Sequence, residues 1–386
     1  MATPLRRWDV FCRVVDNYGD SGVCWRLARQ LAAEHALDVT LWMDDLAQLA
    51  KIVPDVDAAA IAQTAAGVTI RRWIEPFEAG PPPGDVVIEA FGCGLPERYV
   101  NAMAQCSPTP RWFLLEYLSA EVWVDGSHGL ASPHPRLPLA RRFWFPGFTV
   151  ETGGLLRERG LFAARDAFQR DRAARNAFWT RLGVPPPEAD ELRVSLFCYP
   201  AAPLAPVLDG WADGETRVTC LIPEGVAVGA LDAWAGGRIP HRGELLVRGR
   251  LTVCTIPFLA LDDYDRLLWG CDVNFVRGED SFVRAQWAAR PFVWHIYAQD
   301  EGVHWPKLDA FLDRFSVGLA PEALAATRRF WHAWNGDAAA GAVDSAWIEF
   351  ARAGPALGGH GDLWANRLAG SPDLATGLVK SAGNGL

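Results

Sequence analysis

Two polar loops contain the residue types that could do chemistry. The first reads Asp16-Asn17-Tyr18-Gly19-Asp20-Ser21-Gly22 and holds two carboxylates and two glycines. It matches neither the Gly-x-Gly-x-x-Gly dinucleotide pattern nor the Gly-x-x-x-x-Gly-Lys phosphate loop. Because carboxylates repel phosphate, this loop is better suited to bind a cation or accept a proton, and its glycines are expected to permit positive φ and close approach of a ligand. One alternative stays open: Asp20 or Ser21 only caps the next helix, and Asp16 only ends the preceding strand.

The second loop, Arg277-Gly278-Glu279-Asp280-Ser281, follows the apolar segment 271–276 and precedes a helix that is predicted to begin at Asp280 or Ser281 and to reach about residue 289. The N-terminus of a helix presents unpaired N–H groups and a partial positive charge at the carboxyl edge of a parallel sheet. With an arginine at the same edge, the loop is predicted to bind a diphosphate. The alternative is a solvated turn whose charges pair with one another.

Alternating strands and helices must position these loops. In the first half, strands are predicted at 8–15, 38–43, 67–72, 85–91, 111–118 and 143–148. In the second half, they are predicted at 192–199, 217–222, 251–256, 271–276 and 291–297. The predicted helices include 23–35 and 163–182. Near-continuous apolar strands that alternate with helices are typical of a parallel sheet covered on both faces. The sequence therefore predicts an α/β fold.

The length of 386 residues exceeds what one ordinary core accommodates, so two domains are expected. The proline run 185–187 is the best candidate boundary. It divides the chain into Rossmann-like domains at 1–184 and 188–362, with a tail at about 363–386 that packs back on the first. In such sheets ligands bind at the carboxyl ends of the strands, so we expect the two domains to face a central cleft.

Composition excludes several classes of function. The net charge is −9 and no Lys/Arg-rich patch occurs, which argues against a nucleic-acid partner. No stretch reaches the roughly 18 apolar residues of a membrane span, and charged residues interrupt any N-terminal signal peptide. The eight cysteines form no Cys-x-x-Cys pair and no zinc pattern. We therefore expect a cytoplasmic protein with reduced thiols, no metal site and no membrane contact.

A diphosphate site in one domain and a carboxylate loop in the other together suggest glycosyl transfer from a nucleotide sugar. Arg277 and the helix N-terminus would stabilise the departing diphosphate in place of a metal, and a carboxylate would take a proton from the acceptor. Two alternatives remain: a nucleotide-sugar epimerase or hydrolase on the same fold, and a non-catalytic module that binds a partner. The absent glycine fingerprint disfavours an NAD enzyme.

Several longer motifs resemble one known family. They are Trp8-Asp9-Val10-Phe11-Cys12, Val15-Asp16-Asn17-Tyr18-Gly19-Asp20, Val23-Cys24-Trp25-Arg26-Leu27-Ala28-Arg29, residues 112–120, Phe143-Trp144-Phe145-Pro146-Gly147-Phe148, Gly153-Gly154-Leu155, Ile256-Pro257-Phe258, residues 277–286 and Pro291-Phe292-Val293-Trp294-His295-Ile296-Tyr297. In this order the segments resemble the protein-arginine rhamnosyltransferases that modify bacterial translation elongation factor P, the EarP family.

The resemblance implies an inverting, metal-independent glycosyltransferase of the GT-B architecture that needs no cofactor. Its donor would be the nucleotide sugar dTDP-β-L-rhamnose, and its acceptor an arginine of elongation factor P. It also implies that Asp20 is the general base, that Asp16 is the carboxylate that orients the acceptor, and that Glu279 is a further functional carboxylate. The donor would be bound by Asn17, Tyr18 and Gly19 in the donor-side loop and by Tyr199 and Phe258 around the nucleoside. The diphosphate loop would consist of Arg277, Gly278, Glu279, Asp280 and Ser281.

Overall fold

The computed structural model describes residues 5–16, 18–77, 80–238 and 240–383, which form two compact units. The first unit runs through Arg159 and resumes at Leu368, and the second comprises Gly160–Arg367. Among the described residues, no helix is both long and apolar enough to cross a membrane.

The first unit is built on an eight-stranded sheet. Its elements are β1 (Arg7–Cys12), α1 (Tyr18–His35), β2 (Asp38–Met43), α2 (Leu46–Ile52), β3 (Ala62–Ala65), β4 (Val68–Arg72), β5 (Val86–Ala90), α3 (Glu97–Gln105), β6 (Arg111–Leu115), α4 (Trp123–Ser127), β7 (Ala131–Pro133) and β8 (Ala140–Trp144). The strand order is β3-β4-β2-β1-β5-β6-β8-β7, and only the edge strands β3 and β7 pair antiparallel.

The second unit repeats this plan with six strands. Its elements are α5 (Leu161–Arg170), α6 (Arg172–Leu182), β9 (Glu191–Leu196), α7 (Leu204–Asp213), β10 (Arg217–Pro223), α8 (Val228–Ala235), β11 (Leu245–Arg248), β12 (Leu251–Ile256), α9 (Leu261–Gly270), β13 (Val273–Arg277), α10 (Asp280–Ala288), β14 (Phe292–His295), α11 (His304–Phe315), α12 (Pro321–Trp334), α13 (Val343–Arg352) and α14 (Gly354–Ala369). The strand order is β11-β12-β10-β9-β13-β14, and only β11 is antiparallel.

Each sheet reverses its direction of growth at one place. In the first, the chain adds β2 and β4 on one side of β1 and then returns to place β5 on the other side. In the second, β10 and β12 lie on one side of β9, and β13 lies on the other. The loops that follow these central strands diverge there, which opens a crevice at the carboxyl edge where ligands bind in such sheets.

The α/β class is confirmed, and three local expectations are corrected. Both sheets are mixed rather than purely parallel, because the short edge strands β3, β7 and β11 pair antiparallel with their neighbours. The helix predicted over 163–182 is two helices, since the Asp171 side chain accepts from Ala174 N at 3.0 Å and starts a new one. Helix α1 begins at Tyr18 rather than at residue 23.

The compact units divide at residue 159, ahead of the proline run that was expected to separate them. Helices α5 and α6 belong to the second unit because Phe178 and Trp179 pack in one core cluster with Leu221 and Leu267. The proline run therefore lies inside the second unit, between α6 and β9.

Residues from Leu368 onward belong to the first unit. Arg157 Nη1 donates to the carbonyl of Ala369 at 3.0 Å, and Leu374 N donates to the carbonyl of Leu155 at 3.0 Å. Helix α15 (Leu374–Gly383) then buries Leu374 and Leu378.

Candidate active site

Asp20 occupies the first turn of α1, just beyond the carboxyl end of β1. Its side chain is only 2% exposed. Oδ2 accepts hydrogen bonds from Val15 N at 2.8 Å and Asp16 N at 2.9 Å. A carboxylate that reaches back to the preceding loop stabilises the start of the helix. This contact is why the helix extends over the segment that was expected to be a loop.

Gly19 and Gly22 are therefore helical residues, and the expected positive φ is wrong for both. At Gly19 a side chain would collide with Asp16, because a Cβ there would lie 2.9 Å from Asp16 Oδ2. Glycine at this position therefore lets the Asp16 carboxylate keep its place, whereas a larger residue would require that side chain to move. Tyr18 is half-buried, with Lys51 Nζ 5.6 Å from its ring centre. Asn17 lies outside the described residues.

Burial raises the pKa of the Asp20 carboxyl above its ordinary value. Hydrogen bonds from Asp16 N and Val15 N, and one with the Tyr117 side chain, lower the pKa and so oppose this rise. The negative charge of Asp16 raises the pKa further. A raised pKa makes the carboxylate a stronger base. Two carboxylates close together, one buried and one half-buried, can hold a cationic group and accept a proton from it.

Arg277 ends β13, beside the central strand β9. Its guanidinium carbon lies 4.4 Å from the ring centre of Phe197 and 4.7 Å from that of Tyr199. Its Nη1 donates to the carbonyl of Cys198 at 3.3 Å. Cation–π contacts of this kind fix the plane of the guanidinium. The structure therefore holds a preoriented positive charge at the carboxyl edge of the second sheet.

Ser281 ties the start of α10 to the end of β13. Its Oγ accepts from Arg277 N at 3.1 Å and donates to the Arg277 carbonyl. Between them Gly278 takes φ +61°, a left-handed conformation that favours glycine, and its carbonyl accepts from Trp294 Nε1 at 2.9 Å. Glu279 is the N-cap residue and Asp280 the first residue of the helix. All five residues of the predicted diphosphate loop are thus assembled at one helix N-terminus.

His295 and Tyr297 were missed as candidate residues. His295, on β14, is paired with Arg277 on the neighbouring strand β13, and its Nδ1 accepts a hydrogen bond from Tyr199 N at 3.2 Å. Burial lowers the pKa of His295 to about 4, and the nearby Arg277 charge contributes, so the ring is neutral at pH 7. The Tyr297 ring lies 5.5 Å from that of Tyr199. His295 ends β14, the strand next to β13, and Tyr297 follows it, and this position was the signal that could have found them.

Phe197 was also missed, and it connects the predicted aromatic residues. Its ring centre is 6.4 Å from that of Phe258, and Phe197 and Tyr199 both contact Arg277. The structure therefore brings Tyr199, Phe258 and Arg277 into one cluster. Among the described residues, no group of three His, Cys, Asp or Glu side chains could hold a metal ion.

Comparison with known proteins identifies the family. A family model described as elongation factor P rhamnosyltransferase EarP matches residues 8–382. This chain belongs to the EarP family. The protein-arginine rhamnosyltransferase of Pseudomonas putida is 51% identical over 381 residues, covering 98% of this chain and 99% of that protein. The enzyme of the same name from Pseudomonas aeruginosa is 45% identical, covering 97% and 98%. As an EarP protein, the chain is a glycosyltransferase of the protein-arginine rhamnosyltransferase type.

Solved structures agree with the EarP assignment. One, described as the structural basis for EarP-mediated arginine glycosylation of translation elongation factor EF-P, is 40% identical with a TM-score of 0.70, covering 98% of this chain and 99% of that one. The forosaminyltransferase SpnP shares only 12% identity at a TM-score of 0.51 over 98% of both chains, so this likeness concerns the fold alone. The EarP chain thus has the GT-B glycosyltransferase fold.

Proposed function

We propose that this enzyme transfers rhamnose from dTDP-β-L-rhamnose to an arginine side chain of elongation factor P, with inversion at the sugar carbon. The observation that carries the proposal is the buried carboxylate of Asp20, held by two backbone N–H groups at the switch point of the first sheet. The relative described as glycosylating an arginine of elongation factor EF-P supports the same acceptor. Because that acceptor is a translation factor, we expect the reaction in the cytoplasm.

In this proposal the second unit binds the donor. Arg277 and the N-terminal N–H groups of α10 meet the diphosphate, and Tyr199 and Phe258 surround the nucleoside. Arg277 is suited to this role because its guanidinium is already oriented by two rings. Glu279, at the N-cap, adds a carboxylate beside the diphosphate loop. Arg277 and the N–H groups of α10 stabilise the negative charge that develops on the leaving diphosphate, without a divalent metal.

The first unit supplies the base. A guanidinium nitrogen attacks the sugar carbon, the bond from that carbon to the diphosphate oxygen breaks, and the bonding electrons leave with dTDP. Because a guanidinium has a pKa above about 12, it is not deprotonated before the reaction. We propose that Asp16 and Asp20 hold the cation, and that Asp20 takes the proton as the carbon–nitrogen bond forms. A single displacement of this kind inverts the configuration at the sugar carbon.

The experiment is incubation of the enzyme with dTDP-β-L-rhamnose and folded elongation factor P, followed by intact-mass measurement of the acceptor. The expected result is addition of one deoxyhexosyl group, lost when the target arginine is replaced by lysine. A parallel sample without acceptor measures release of dTDP. Donor turnover that does not need the acceptor would instead favour a hydrolase or an epimerase, and failure to bind the donor would favour a non-catalytic module.

A further inference from the structure

Tyr117 lies just past the carboxyl end of β6, and its side chain forms a hydrogen bond with the Asp20 carboxylate. We propose that Tyr117 is a positioning residue that orients the carboxylate of Asp20 for proton transfer, and that Phe91 holds Tyr117 in place. This inference rests on the role proposed above for Asp20. It adds a side-chain donor to the two backbone donors and extends the site to β5 and β6, which lie on one side of β1.

The stacking of Phe91 on Tyr117 is the first geometric support. Their ring centres are 4.4 Å apart and the planes differ by 15°. Phe91 follows β5 and adopts φ +57°, a left-handed conformation that is unfavourable for a bulky residue. Its backbone N–H donates to the Leu115 carbonyl at the end of β6. The fold therefore maintains an unfavourable backbone conformation at the residue whose ring lies against Tyr117.

The contrast in exposure is the second support. Asp20 is 2% exposed, whereas the Tyr117 side chain, which contacts it, is 41% exposed. Tyr117 thus lies between the buried carboxylate and solvent. Since two backbone N–H groups already bind Oδ2, a third donor limits the orientations that the carboxylate can take. A fixed orientation matters for a base because the proton must arrive along one lone pair.

The charged surroundings give the direction of the pH effect. Asp16 raises the pKa of Asp20, and the hydrogen bond with Tyr117 lowers it. A hydrogen bond with Cys24 and burial raise the pKa of the nearby Cys12 thiol, and the charge of Asp20 adds to this rise. The thiol therefore stays protonated. Removing the Tyr117 hydroxyl should therefore raise the pKa of Asp20, so that a higher pH is needed to form the basic carboxylate.

The test is Tyr117→Phe, which removes the hydroxyl and keeps the stacked ring. We expect kcat for rhamnose transfer to fall about tenfold, the KM for donor to stay unchanged, and the acidic limb of the kcat/KM profile to move roughly half to one unit upward in pH. Phe91→Leu, which loosens the stack, should give a smaller shift in the same direction. A ¹³C NMR titration of the Asp20 carboxyl in the wild type and in Tyr117→Phe measures the pKa of this group without any turnover.

Tyr99→Phe is the matched control. Tyr99 also donates its hydroxyl to a buried aspartate of the first unit, Asp9, whose pKa is likewise raised by burial. This variant should lose thermal stability and keep the pH profile of the wild type. If Tyr117→Phe behaves like Tyr99→Phe, the hydrogen bond is only structural and the inference is wrong. If the wild-type enzyme transfers no rhamnose although the Asp20 titration shifts, the proposed function fails, and the positioning role fails with it.

Discussion

The loops after β1 and β13 both border the place where their sheet reverses direction, yet they are tied to the helices that follow by side chains of different charge, and an arginine, Arg277, leads into the second loop. In the first unit the tie is a carboxylate, since Asp20 binds the N–H groups of Val15 and Asp16. In the second unit it is a hydroxyl, since Ser281 binds the backbone of Arg277.

This difference decides what each loop can bind. A carboxylate at the start of α1 places negative charge where the helix would otherwise attract an anion. At the start of α10 the tie is a neutral serine, and although the neighbouring Glu279 and Asp280 are acidic, Arg277 and the N-terminal N–H groups can act together on an anionic ligand. Loops that border the switch points of two similar sheets can thus favour base chemistry or anion binding, depending on whether a cationic side chain such as Arg277 lies beside the start of the helix.

Replacing Asp20 by asparagine should have the largest effect on catalysis. The amide keeps the shape but cannot accept a proton, so kcat should fall roughly 10²–10⁴-fold while donor affinity is unchanged. Asp45→Asn is the matched control, because Asp45 also accepts two backbone N–H bonds, at the start of α2, and asparagine caps equally well. Turnover of Asp20→Asn within a few-fold of wild type would remove this residue from the role of base.

Replacing Arg284 tests whether both arginines in residues 277–286 bind the donor. Unlike Arg277, it forms a buried bidentate pair with Asp265, at 2.9 and 2.6 Å, which joins α10 to α9. Arg284→Met should destabilise the second unit by about 3–5 kcal/mol, because it leaves a buried charge unpaired. The double variant with Asp265→Leu should recover much of that loss in urea unfolding. A stable single variant with impaired donor binding would contradict this structural assignment.

Arg277→Ala should weaken donor binding roughly tenfold to a hundredfold, as expected for losing hydrogen bonds to a charged group. Arg277→Lys should be intermediate, because lysine keeps the charge and loses the planar fork. Calorimetric titration with the donor measures both. Arg248→Ala is the control, since Arg248 also stacks on an aromatic ring, that of Trp234 at 5.1 Å, but away from the site. Activity that depends on added magnesium, or is lost with chelator, would overturn the metal-free scheme.

His295 gives a further test, one that depends on pH. With a pKa of about 4 in the folded protein and roughly 6.5 when unfolded, it binds a proton only in the unfolded state between these values. Its contribution to the free energy of unfolding should therefore rise with pH across that window, by up to about 3 kcal/mol. NMR should show no titration of this ring above pH 5, and His295→Asn should lose the corresponding pH dependence of stability. An ordinary titration near pH 6.5 would contradict the burial argument.

The sequence predicted the parts of this molecule that depend on local pattern. Apolar strands followed by polar segments and helices correctly indicated the α/β class and placed Asp20 just after one strand and Arg277 at the end of another, although the segment with Asp20 is already helical. The loop Arg277–Ser281 was also correctly placed at a helix start. These features follow from neighbours in the chain, so periodicity and capping preferences suffice to find them.

Other features depend on residues that are distant in sequence. Phe197 lies far from Arg277 along the chain, and only the pairing of β9 with β13 brings them together. Tyr117 reaches Asp20 because β5 and β6 follow β1 in the sheet. The early start of α1 escaped prediction for a related reason, since glycines disfavour a helix unless a contact such as that of Asp20 compensates.

The return of the chain to the first unit has a consequence for its biosynthesis. Residues are added from the N-terminus, and domains generally fold as units once they are complete. The second unit is one continuous segment, whereas the first requires Leu374 against Leu155 and Asp373 against Gln30. The unit whose synthesis begins first is therefore completed last, after the other is fully made. Until α15 emerges, the surface of α1 that receives it stays uncovered, and a chain that stopped before Leu374 would leave the first unit unfinished.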